Sequence, residues 1–472
     1  MLTKTAGDTT QVHQAEVPKV EIRLSEVLSA LTFALDLTEG QPQGHAIRCC
    51  MIGISFADHL QLNSEERSAL FYALLLKDLG CSSNSAKVTN LFNGDDHRLK
   101  YRLKTVNWSN YVRAAQYVFL NAARGRSIWR RALQVISLGL KGRAAATDLI
   151  KTRCERGADI ARSLGFPELT TQAILDLDEH WNGHGDPNGL KGTQISLLGR
   201  ILDIAQTIDV FFIEQGEEAA KQVVRSRRGS WFDPALSDLF LKQIATEKDF
   251  WQRLKSPGLI NQIHAYEPED RVLLADDDRL DEIANAFARV IDAKSPFTVK
   301  HSNRVREIVL GMAEKLRMPS AERRDLSRAA LLHDMGKLGV SNKILDKKGK
   351  LTDAEWEVIR KHTEYTYLIL RRVNGFEQLA DIASAHHERL DGNGYHRHLR
   401  RGELPAAALL LAVADKYEAM TSTRPYRAAL PTAEVLQILE AQVGTGVDAH
   451  AFAALRDLVA KGRVPPFDPS TD

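Results

Sequence analysis

The sequence has few of the features that mark membrane proteins and nucleic-acid-binding proteins. Its longest uninterrupted apolar run is AAALLLAVA at residues 406–414, whereas a membrane-spanning helix needs about 20 apolar residues. No charged-then-apolar leader opens the chain, so we expect neither a secretory signal nor a membrane partner. Lysine and arginine total 63 against 61 aspartates and glutamates, and this balance argues against nucleic acid as the main partner.

Cysteine is also scarce. The four cysteines are Cys49, Cys50, Cys81 and Cys154, all in the first third of the chain and without a C-x-x-C pair. This usage excludes a disulfide scaffold and a zinc ribbon. We therefore expect free thiols and a cytoplasmic protein.

Alternating β-branched runs are rare, while apolar residues recur at helical spacing through most of the chain. The pattern predicts an all-α fold, and 472 residues allow two to three domains. Residues 1–20 are polar and without periodicity, and they are predicted to be a mobile tail. Proline and glycine interrupt LKSPGLINQIHAYEPEDR at residues 254–271. This break predicts a linker between a first repeat, residues 21–253, and a second repeat, residues 272–472.

The two repeats are copies of each other. RLSEVLSALTFALDLTEGQPQGHAIRC (23–49) aligns without gaps on RLDEIANAFARVIDAKSPFTVKHSNRV (279–305), at an offset of 256 residues. Farther along, LDEHWNGHGDPNGLKG (177–192) aligns on HHERLDGNGYHRHLRR (386–401), at an offset of 209 residues. The difference, 256 − 209 = 47, means that the first repeat contains about 47 additional residues between these segments.

The additional residues are assigned to a stretch within 85–145, which is rich in lysine and arginine and contains Trp108 and Trp129. One interpretation is a basic interaction surface. The other is a helical insertion with a solvated face, which is the more common role of a charge-rich stretch. We favour the helical insertion.

Seven imidazole and carboxylate groups of the second repeat lie in otherwise apolar, helical surroundings. In LLHDMGKLGV (331–340), helical spacing would bring His333, Asp334 and Lys337 to one side. A lone buried histidine is usually only hydrogen-bonded, but here several such groups occur together. Imidazole with carboxylate suits Fe, Mn or Zn, and shared carboxylates allow two ions to lie close together. The candidate ligands are His301, His333, Asp334, His362, His386, His387 and Asp415.

Five short strings follow one another in this repeat: HDMGK (333–337), KH (361–362), HHERLDGNGY (386–395), VAD (413–415) and TSTRPYR (421–427). In this order they resemble the HD-GYP subgroup of the HD metal-dependent phosphohydrolases. The resemblance implies two tandem HD-type helical domains, the first of them degenerate. It also implies that the second domain holds two metal ions and hydrolyses cyclic di-GMP, to the linear dinucleotide or to GMP.

The resemblance assigns the ligands to two ions by position. One ion would be held by His301, His333, Asp334 and Asp415, and a second, bridged by Asp334, by His362, His386 and His387. Fe and Mn are the expected metals, with Zn as the alternative. Two such ions would lower the pKa of a shared water for in-line attack on phosphorus.

Further roles follow from the same resemblance. Asp334 and Lys337 would be the catalytic residues, because the Lys337 ammonium can neutralise charge that grows on the phosphate oxygens. Arg424 and Arg427 would grip the phosphates or guanines of the substrate, and Tyr395 would pack on a base. The alternative for each arginine is a solvated helix end.

The second repeat departs from the family pattern at three places. Phe297 stands where some members have a glutamate ligand to a third metal, so two metals are expected. His396 replaces the signature proline, and the fixed φ of proline is lost there. Leu409 stands where arginine is usual. These departures leave another phosphodiester or nucleotide open as the substrate.

The first repeat retains the histidine and aspartate that match His301 and Asp334, namely His45 and Asp78, but little else of the ligand set. The other matching positions hold Lys77, Cys81, Arg153, Leu177, Asp178 and Gln206. A metal pair cannot assemble from two ligands, and we expect Lys77 and Arg153 to neutralise Asp78 and Asp178.

GDPNGLKG (185–192) and Arg200 in the first repeat keep family features that the second repeat lacks. They serve either the fold alone or a ligand-sensing or docking role.

The leading hypothesis is a metal-dependent cyclic di-GMP phosphodiesterase whose first repeat regulates it, through a homodimer or a signalling partner. A second hypothesis is a nucleotide-binding module without turnover. A third is an HD phosphohydrolase that acts on another phosphoester.

Overall fold

The computed structural model describes residues 22–92, 94–103, 128–256 and 272–464, together with residues 258, 263 and 265–269. Helices make up most of the described chain, and the prediction of an all-α fold is confirmed. The described helices are α1 (Leu24–Thr38), α2 (His45–Leu60), α3 (Ser64–Leu76), α4 (Ser85–Phe92), α5 (Asp96–Leu103), α6 (Ile128–Ser163), α7 (Glu168–Leu175), α8 (Leu197–Gln215), α9 (Glu217–Arg227), α10 (Pro234–Lys242), α11 (Phe250–Leu254), α12 (Asp277–Asp292), α13 (His301–Lys315), α14 (Ser320–Leu332), α15 (Asn342–Leu345), α16 (Asp353–Leu370), α17 (Glu377–Ser384), α18 (Ala406–Thr421), α19 (Thr432–Glu440) and α20 (Ala449–Ala460).

Shorter elements join these helices. Single 3₁₀ turns lie at Cys81–Asn84, Gly192–Gln194, Ile244–Thr246, Met335–Gly339 and Arg401–Glu403. Two strands, β1 (Ile22–Arg23) and β2 (Leu274–Ala275), pair antiparallel. Within the described part of the chain, no helix is both long and apolar enough to cross a membrane. All four cysteines are free and buried, as expected from their spacing.

Helix starts follow local sequence signals. At α16, the Thr352 side chain accepts a hydrogen bond from the Glu355 backbone N–H, and the Glu355 side chain accepts one from the Thr352 backbone N–H. Asn63 and Glu66 form the same reciprocal pair at α3. Such a pair satisfies two backbone donors that the first turn of a helix leaves without partners. The sequence therefore fixes where α16, which contributes a site histidine, begins.

In each repeat, a buried aspartate at the matching position binds the start of the helix that carries the first matching histidine. In the first repeat, Asp36 Oδ2 accepts a hydrogen bond from the His45 backbone N–H at 3.0 Å. In the second repeat, Asp292 Oδ1 accepts one from the Ser302 hydroxyl at 2.7 Å. Asp36 and Asp292 lie 256 positions apart, at the offset of the sequence alignment. This part of the internal repeat is therefore a structural repeat as well.

Helix α1 of the first repeat packs against the second repeat. The Phe33 ring lies 4.1 Å from the Arg372 guanidinium, and a Glu26 carboxylate oxygen accepts from the Asn374 backbone N–H at 2.9 Å. α1 also packs on the 3₁₀ turn Met335–Gly339. The repeats therefore share a packed interface next to the HDMGK segment.

A second contact between the repeats comes from the predicted insertion. Asp96, buried at the start of α5, accepts hydrogen bonds from Lys294 Nζ (3.1 Å), the Ser341 hydroxyl (2.8 Å) and the Asn342 backbone N–H (2.9 Å). Asp96 lies within the stretch assigned to the insertion and packs on the second repeat, while Arg98 of the same helix is exposed. Trp108 lies outside the described residues.

The remaining boundaries stay predictions, although part of the predicted linker is described. Glu267 is buried and accepts hydrogen bonds from the Ser25 hydroxyl at 2.8 Å and from the Tyr72 hydroxyl. This section of the linker therefore packs on the first repeat. The predicted tail, residues 1–20, lies outside the described residues.

Candidate metal centre in the second repeat

The structure brings the seven predicted ligands together from five parts of the second repeat. His301 is the first residue of α13, His362 lies in α16 and Asp415 in α18. The HD pair follows α14, and the two adjacent histidines follow α17. The buried members are His301, His333, Asp334, His362, His386 and Asp415, while His387 is half-buried.

The HD pair lies in a turn, which corrects the expectation of a continuous helix over 331–340. α14 ends at Leu332, and Asp334 precedes the 3₁₀ turn Met335–Gly339. A Cβ on Gly336 would lie 1.9 Å from the His362 carbonyl oxygen, so only glycine allows the turn to approach α16 this closely. The Gly336 N–H donates to Thr366 Oγ1 at 3.0 Å, which holds the turn there.

The ligand atoms form two groups that meet at Asp334. In the first group, His301 Nε2 lies 3.3 Å from His333 Nε2, 3.4 Å from Asp334 Oδ2 and 3.4 Å from Asp415 Oδ1. In the second, His362 Nε2 lies 3.1 Å from His386 Nε2, and Asp334 Oδ1 lies 3.6 Å and 3.7 Å from these two nitrogens. The two carboxylate oxygens of Asp334 therefore face different groups.

His387 completes the second group. One ligand atom each from His362, His386 and His387 lies within 4.8 Å of the others. A set of imidazole nitrogens at this spacing can converge on one cation.

Hydrogen bonds of Nδ1, the ring nitrogen that points away from the cluster, fix the orientation of three of these histidine rings. Nδ1 of His333, His362 and His386 lies 2.8, 2.6 and 2.7 Å from the carbonyl oxygens of Ala330, Ile359 and Ala383. Each Nδ1–H donates to its carbonyl, so the lone pair of each Nε2 points into the cluster. This is the arrangement that orients metal-binding histidines.

Burial and charge set the protonation of the groups. Burial lowers the pKa of His362 to about 4 and that of His387 to about 3, so both rings are neutral at pH 7. Burial alone would raise the pKa of Asp334, but His333 and Lys337 hold it well below its usual range. His362 and His387 thus offer neutral nitrogens beside an ionised carboxylate, and divalent transition metals prefer such donors.

One oxygen in the cluster shows that a cation fits. Asp334 Oδ1 is buried, and it has no hydrogen-bond partner among the residues that the structure describes. An ionised oxygen buried without a partner is strongly destabilising, and a cation between it and the surrounding Nε2 atoms would compensate it. The residues present therefore fit bound metal ions.

Two of the predicted substrate-binding residues lie beside the cluster. Lys337 Nζ is 2.5 Å from Asp334 Oδ2. The Tyr395 ring lies 4.7 Å from the His387 ring, and the Arg360 guanidinium lies 5.6 Å from the Tyr395 ring. Both predicted residues thus border the candidate ligands, and their substrate roles stay predictions.

The two predicted arginines instead hydrogen-bond to the protein. Arg424 donates to the Glu418 carboxylate and to the Phe297 carbonyl, each at 3.1 Å. Arg427 donates to the Met420 and Ala419 carbonyl oxygens at the end of α18, each at 2.9 Å, which caps that helix. Their substrate roles stay predictions.

Glu418 is a site residue that the sequence analysis missed. Its carboxylate accepts a hydrogen bond from His301 Nδ1, and it also accepts from Arg304 Nε at 2.7 Å and from the Ser422 hydroxyl at 2.8 Å. A carboxylate behind a metal-binding imidazole orients the ring and makes it a stronger ligand. The available signal was its spacing, because residues three apart in a helix share a face and Glu418 lies three after Asp415.

In the first repeat, ion pairs occupy the place of the metals. Lys77 pairs with Asp78 and Arg153 with Asp178, as predicted. The Cys81 thiol lies 3.5 Å from Asp78 Oδ1, and burial holds the pKa of this thiol well above its usual range. The carboxylates are therefore already compensated, and the thiol is protonated and a poor ligand.

Comparison with known proteins agrees with this geometry. The family model described as "HD domain" matches residues 142–236 and 285–450. The 3'3'-cGAMP-specific phosphodiesterase 3 of Vibrio cholerae is 44% identical over 433 residues, which cover 92% of this chain and 94% of that protein. The chain belongs to the HD-GYP subgroup of the HD-domain phosphohydrolases. As an HD-GYP protein it is a metal-dependent hydrolase.

A crystal structure and a further relative extend this comparison. The crystal structure of a V. cholerae cyclic GMP-AMP-specific phosphodiesterase is 39% identical, covers 93% of this chain and 98% of that one, and superposes with a TM-score of 0.65. A cyclic di-GMP phosphodiesterase of Thermotoga maritima is 38% identical over 165 residues, which cover 34% of this chain and 44% of that protein. The likeness to the V. cholerae protein thus includes both repeats.

Proposed function

We propose that the second repeat hydrolyses a 3'3'-linked cyclic dinucleotide and that 3'3'-cyclic GMP-AMP is its preferred substrate. The observation that carries the proposal is the pair of ligand groups meeting at Asp334, whose two oxygens face different imidazoles. The choice of cyclic GMP-AMP over cyclic di-GMP rests on one relative, because the V. cholerae phosphodiesterase 3, which matches nearly the whole chain in sequence and in its crystal structure, is described as specific for that dinucleotide.

The seven residues would hold two divalent ions, with Fe or Mn expected. His301, His333, Asp334 and Asp415 would hold one, and Asp334, His362, His386 and His387 the other. When bound, two such ions lower the pKa of a water and neutralise charge on the phosphate.

The side chains around the ligands have separate roles. Lys337, next to Asp334, would bind a non-bridging phosphate oxygen and stabilise the charge that grows there. Glu418 would keep the His301 ring oriented. In the reaction, the oxygen of water bonds to phosphorus, one P–O3' bond breaks, and the departing O3' takes a proton. The product is the linear dinucleotide with a 5' phosphate.

The test is turnover by the full chain after loading with Mn or Fe, measured by chromatography of the products. We expect the highest kcat/KM for 3'3'-cyclic GMP-AMP and lower values for cyclic di-GMP and cyclic di-AMP. Asp415→Ala should abolish turnover, while Gln206→Ala, the matching change in the first repeat, should leave it near the wild-type level. Preference for cyclic di-GMP would overturn the substrate choice, and no turnover of any of the three would overturn the hydrolase.

The first repeat is proposed to be non-catalytic and to regulate the second, since ion pairs replace its metal ligands. The alternative, a nucleotide-binding module without turnover, makes a different prediction. Calorimetry would then show binding of a cyclic dinucleotide without product, and freshly purified protein would contain no transition metal by elemental analysis.

A further inference from the structure

A groove of about 510 Å³ opens beside the second ligand group, between α16 and the loop of residues 393–398. Its volume lies within the range typical of small-molecule sites. Tyr395 lines the groove, and its ring lies 4.7 Å from the His387 ring. The groove is therefore separated from His387, a candidate ligand, by one aromatic side chain.

Several polar groups that line this groove lack partners. Among the residues that the structure describes, the buried Nε2 of His396 has no hydrogen-bond partner. Within the same residues, the Glu364 carboxylate and the Lys361 ammonium form no hydrogen bond or ion pair, and the charge of Glu364 acts on the His396 ring only through space. By contrast, Glu357 on the rim pairs with Arg360 at 2.9 Å. Polar groups that converge on a groove without partners are available to a ligand, and a buried one is destabilising until it gains a partner.

The chemistry of the lining suits a purine base. The Tyr395 ring offers an aromatic face, and the Arg360 guanidinium, 5.6 Å from that ring, adds a planar cation for stacking. Glu364 offers two acceptor oxygens. The Watson–Crick edge of guanine presents two adjacent N–H donors, which a carboxylate can accept together, whereas adenine presents one donor beside an acceptor nitrogen that would repel the carboxylate.

We propose that this groove is the guanine subsite of the enzyme and that Glu364 is the residue that recognises the base. The proposal rests on the proposed hydrolysis of cyclic dinucleotides and deepens it. One guanine would enter the groove while its phosphate lies at the metals, and the second base would lie outside it. The enzyme would thus favour substrates that contain at least one guanine and would accept either purine at the other position. Cyclic di-AMP, which contains no guanine, would be the poorest of the three substrates.

The test compares three substrates in two variants. In Glu364→Gln, an amide NH₂ replaces one acceptor oxygen. We expect kcat/KM to fall about 10- to 100-fold for 3'3'-cyclic GMP-AMP and for cyclic di-GMP. For cyclic di-AMP it should stay level or rise, because the amide no longer repels the acceptor nitrogen of adenine. Glu314→Gln, on the exposed face of α13 and outside the groove, is the matched control and should change none of the three.

The other outcomes overturn the assignment. An equal fall for all three substrates would show a structural role for Glu364, and no change would show that the groove is not used. A fall confined to the two adenine-containing substrates would assign the groove to adenine instead. Calorimetry with the same metal-loaded proteins separates this proposal from the proposed function. If Glu364→Gln binds cyclic di-GMP more weakly but binds cyclic di-AMP at least as tightly as the wild type does, the guanine subsite is supported, even if the wild type hydrolyses neither. Unchanged binding of cyclic di-GMP would refute the subsite.

Discussion

In the second repeat, the Glu418 carboxylate accepts a hydrogen bond from His301 Nδ1 and another from Arg304 Nε at 2.7 Å. In the first repeat, Asp209 Oδ2 lies 2.6 Å from His45 Nδ1, and Asp209 Oδ1 accepts from Arg48 Nε at 2.5 Å. These three-residue networks lie at matching positions. The outer support of the metal centre has therefore been kept in the repeat that lost the metal ligands.

The inner positions differ in how they compensate a buried carboxylate. Asp78 and Asp334 match in the alignment, and both are buried. Lysine at position 77 neutralises Asp78, while Asp334 pairs with Lys337 through Oδ2 and turns Oδ1 towards imidazoles that can share a cation with it. A buried charge needs a partner of opposite sign, so the fold allows two solutions, and only the metal solution allows catalysis.

The largest effect should come from Asp334→Ala, which removes the residue that joins the two ligand groups. We expect a loss of at least about 1,000-fold in kcat, as expected from removing a central element of the catalytic machinery, together with loss of bound metal by elemental analysis. Asp78→Ala should retain kcat per folded molecule but lower the free energy of unfolding by about 3 to 5 kcal/mol, because Lys77 is left buried without its partner. Equal catalytic losses in the two variants would show that the first repeat takes part in the reaction.

Gly336→Ala and Gly80→Ala test a shared backbone contact. A Cβ at either position would lie 1.9 Å from a carbonyl oxygen, that of His362 or that of Arg153. Overpacking against backbone costs about 1 to 3 kcal/mol or more, so both variants should unfold at lower denaturant concentration. We expect only Gly336→Ala to lower activity in the protein that remains folded. Wild-type stability in either variant would contradict the described packing.

Glu418→Gln should have a smaller effect, because the side chain keeps its shape and loses its charge. Loss of a carboxylate that hydrogen-bonds to a metal-binding histidine typically lowers metal affinity or activity by about 10- to 100-fold. Competition with a chelator of known affinity measures the metal affinity. Asp209→Asn is the matching change and should leave both quantities unaltered. Unchanged metal affinity in Glu418→Gln would show that His301 is oriented without its help.

The smallest effect is expected from Asp96→Asn at the interface of the repeats. The variant loses a charged acceptor for Lys294 Nζ, and we expect the free energy of unfolding to fall by about 1 to 3 kcal/mol, as measured by guanidinium denaturation. Asp159→Asn removes an exposed ion pair and should cost less than about 1 kcal/mol. Equal stabilities of the two variants would show that the Asp96 contact contributes little.

The sequence predicted the helical fold and the grouping of the seven ligands, because apolar spacing and an ordered motif are local signals. It did not predict that α14 ends at Leu332, since the close approach of Gly336 to His362 depends on tertiary packing. Glu418 was missed because its role depends on a histidine 117 positions away. The contact of Asp96 with Lys294 depends likewise on how the repeats meet. These three features were missed because long-range packing decides them.

The packing of α1 on the turn Met335–Gly339 bears on any attempt to shorten this enzyme. A protein made from the second repeat alone would lack the layer that covers one side of its HD turn, and Leu37, which lies against Gly339, would be replaced by water. The first repeat thus forms part of the wall around the HD turn of the second repeat. Deleting the first repeat would expose this turn to solvent.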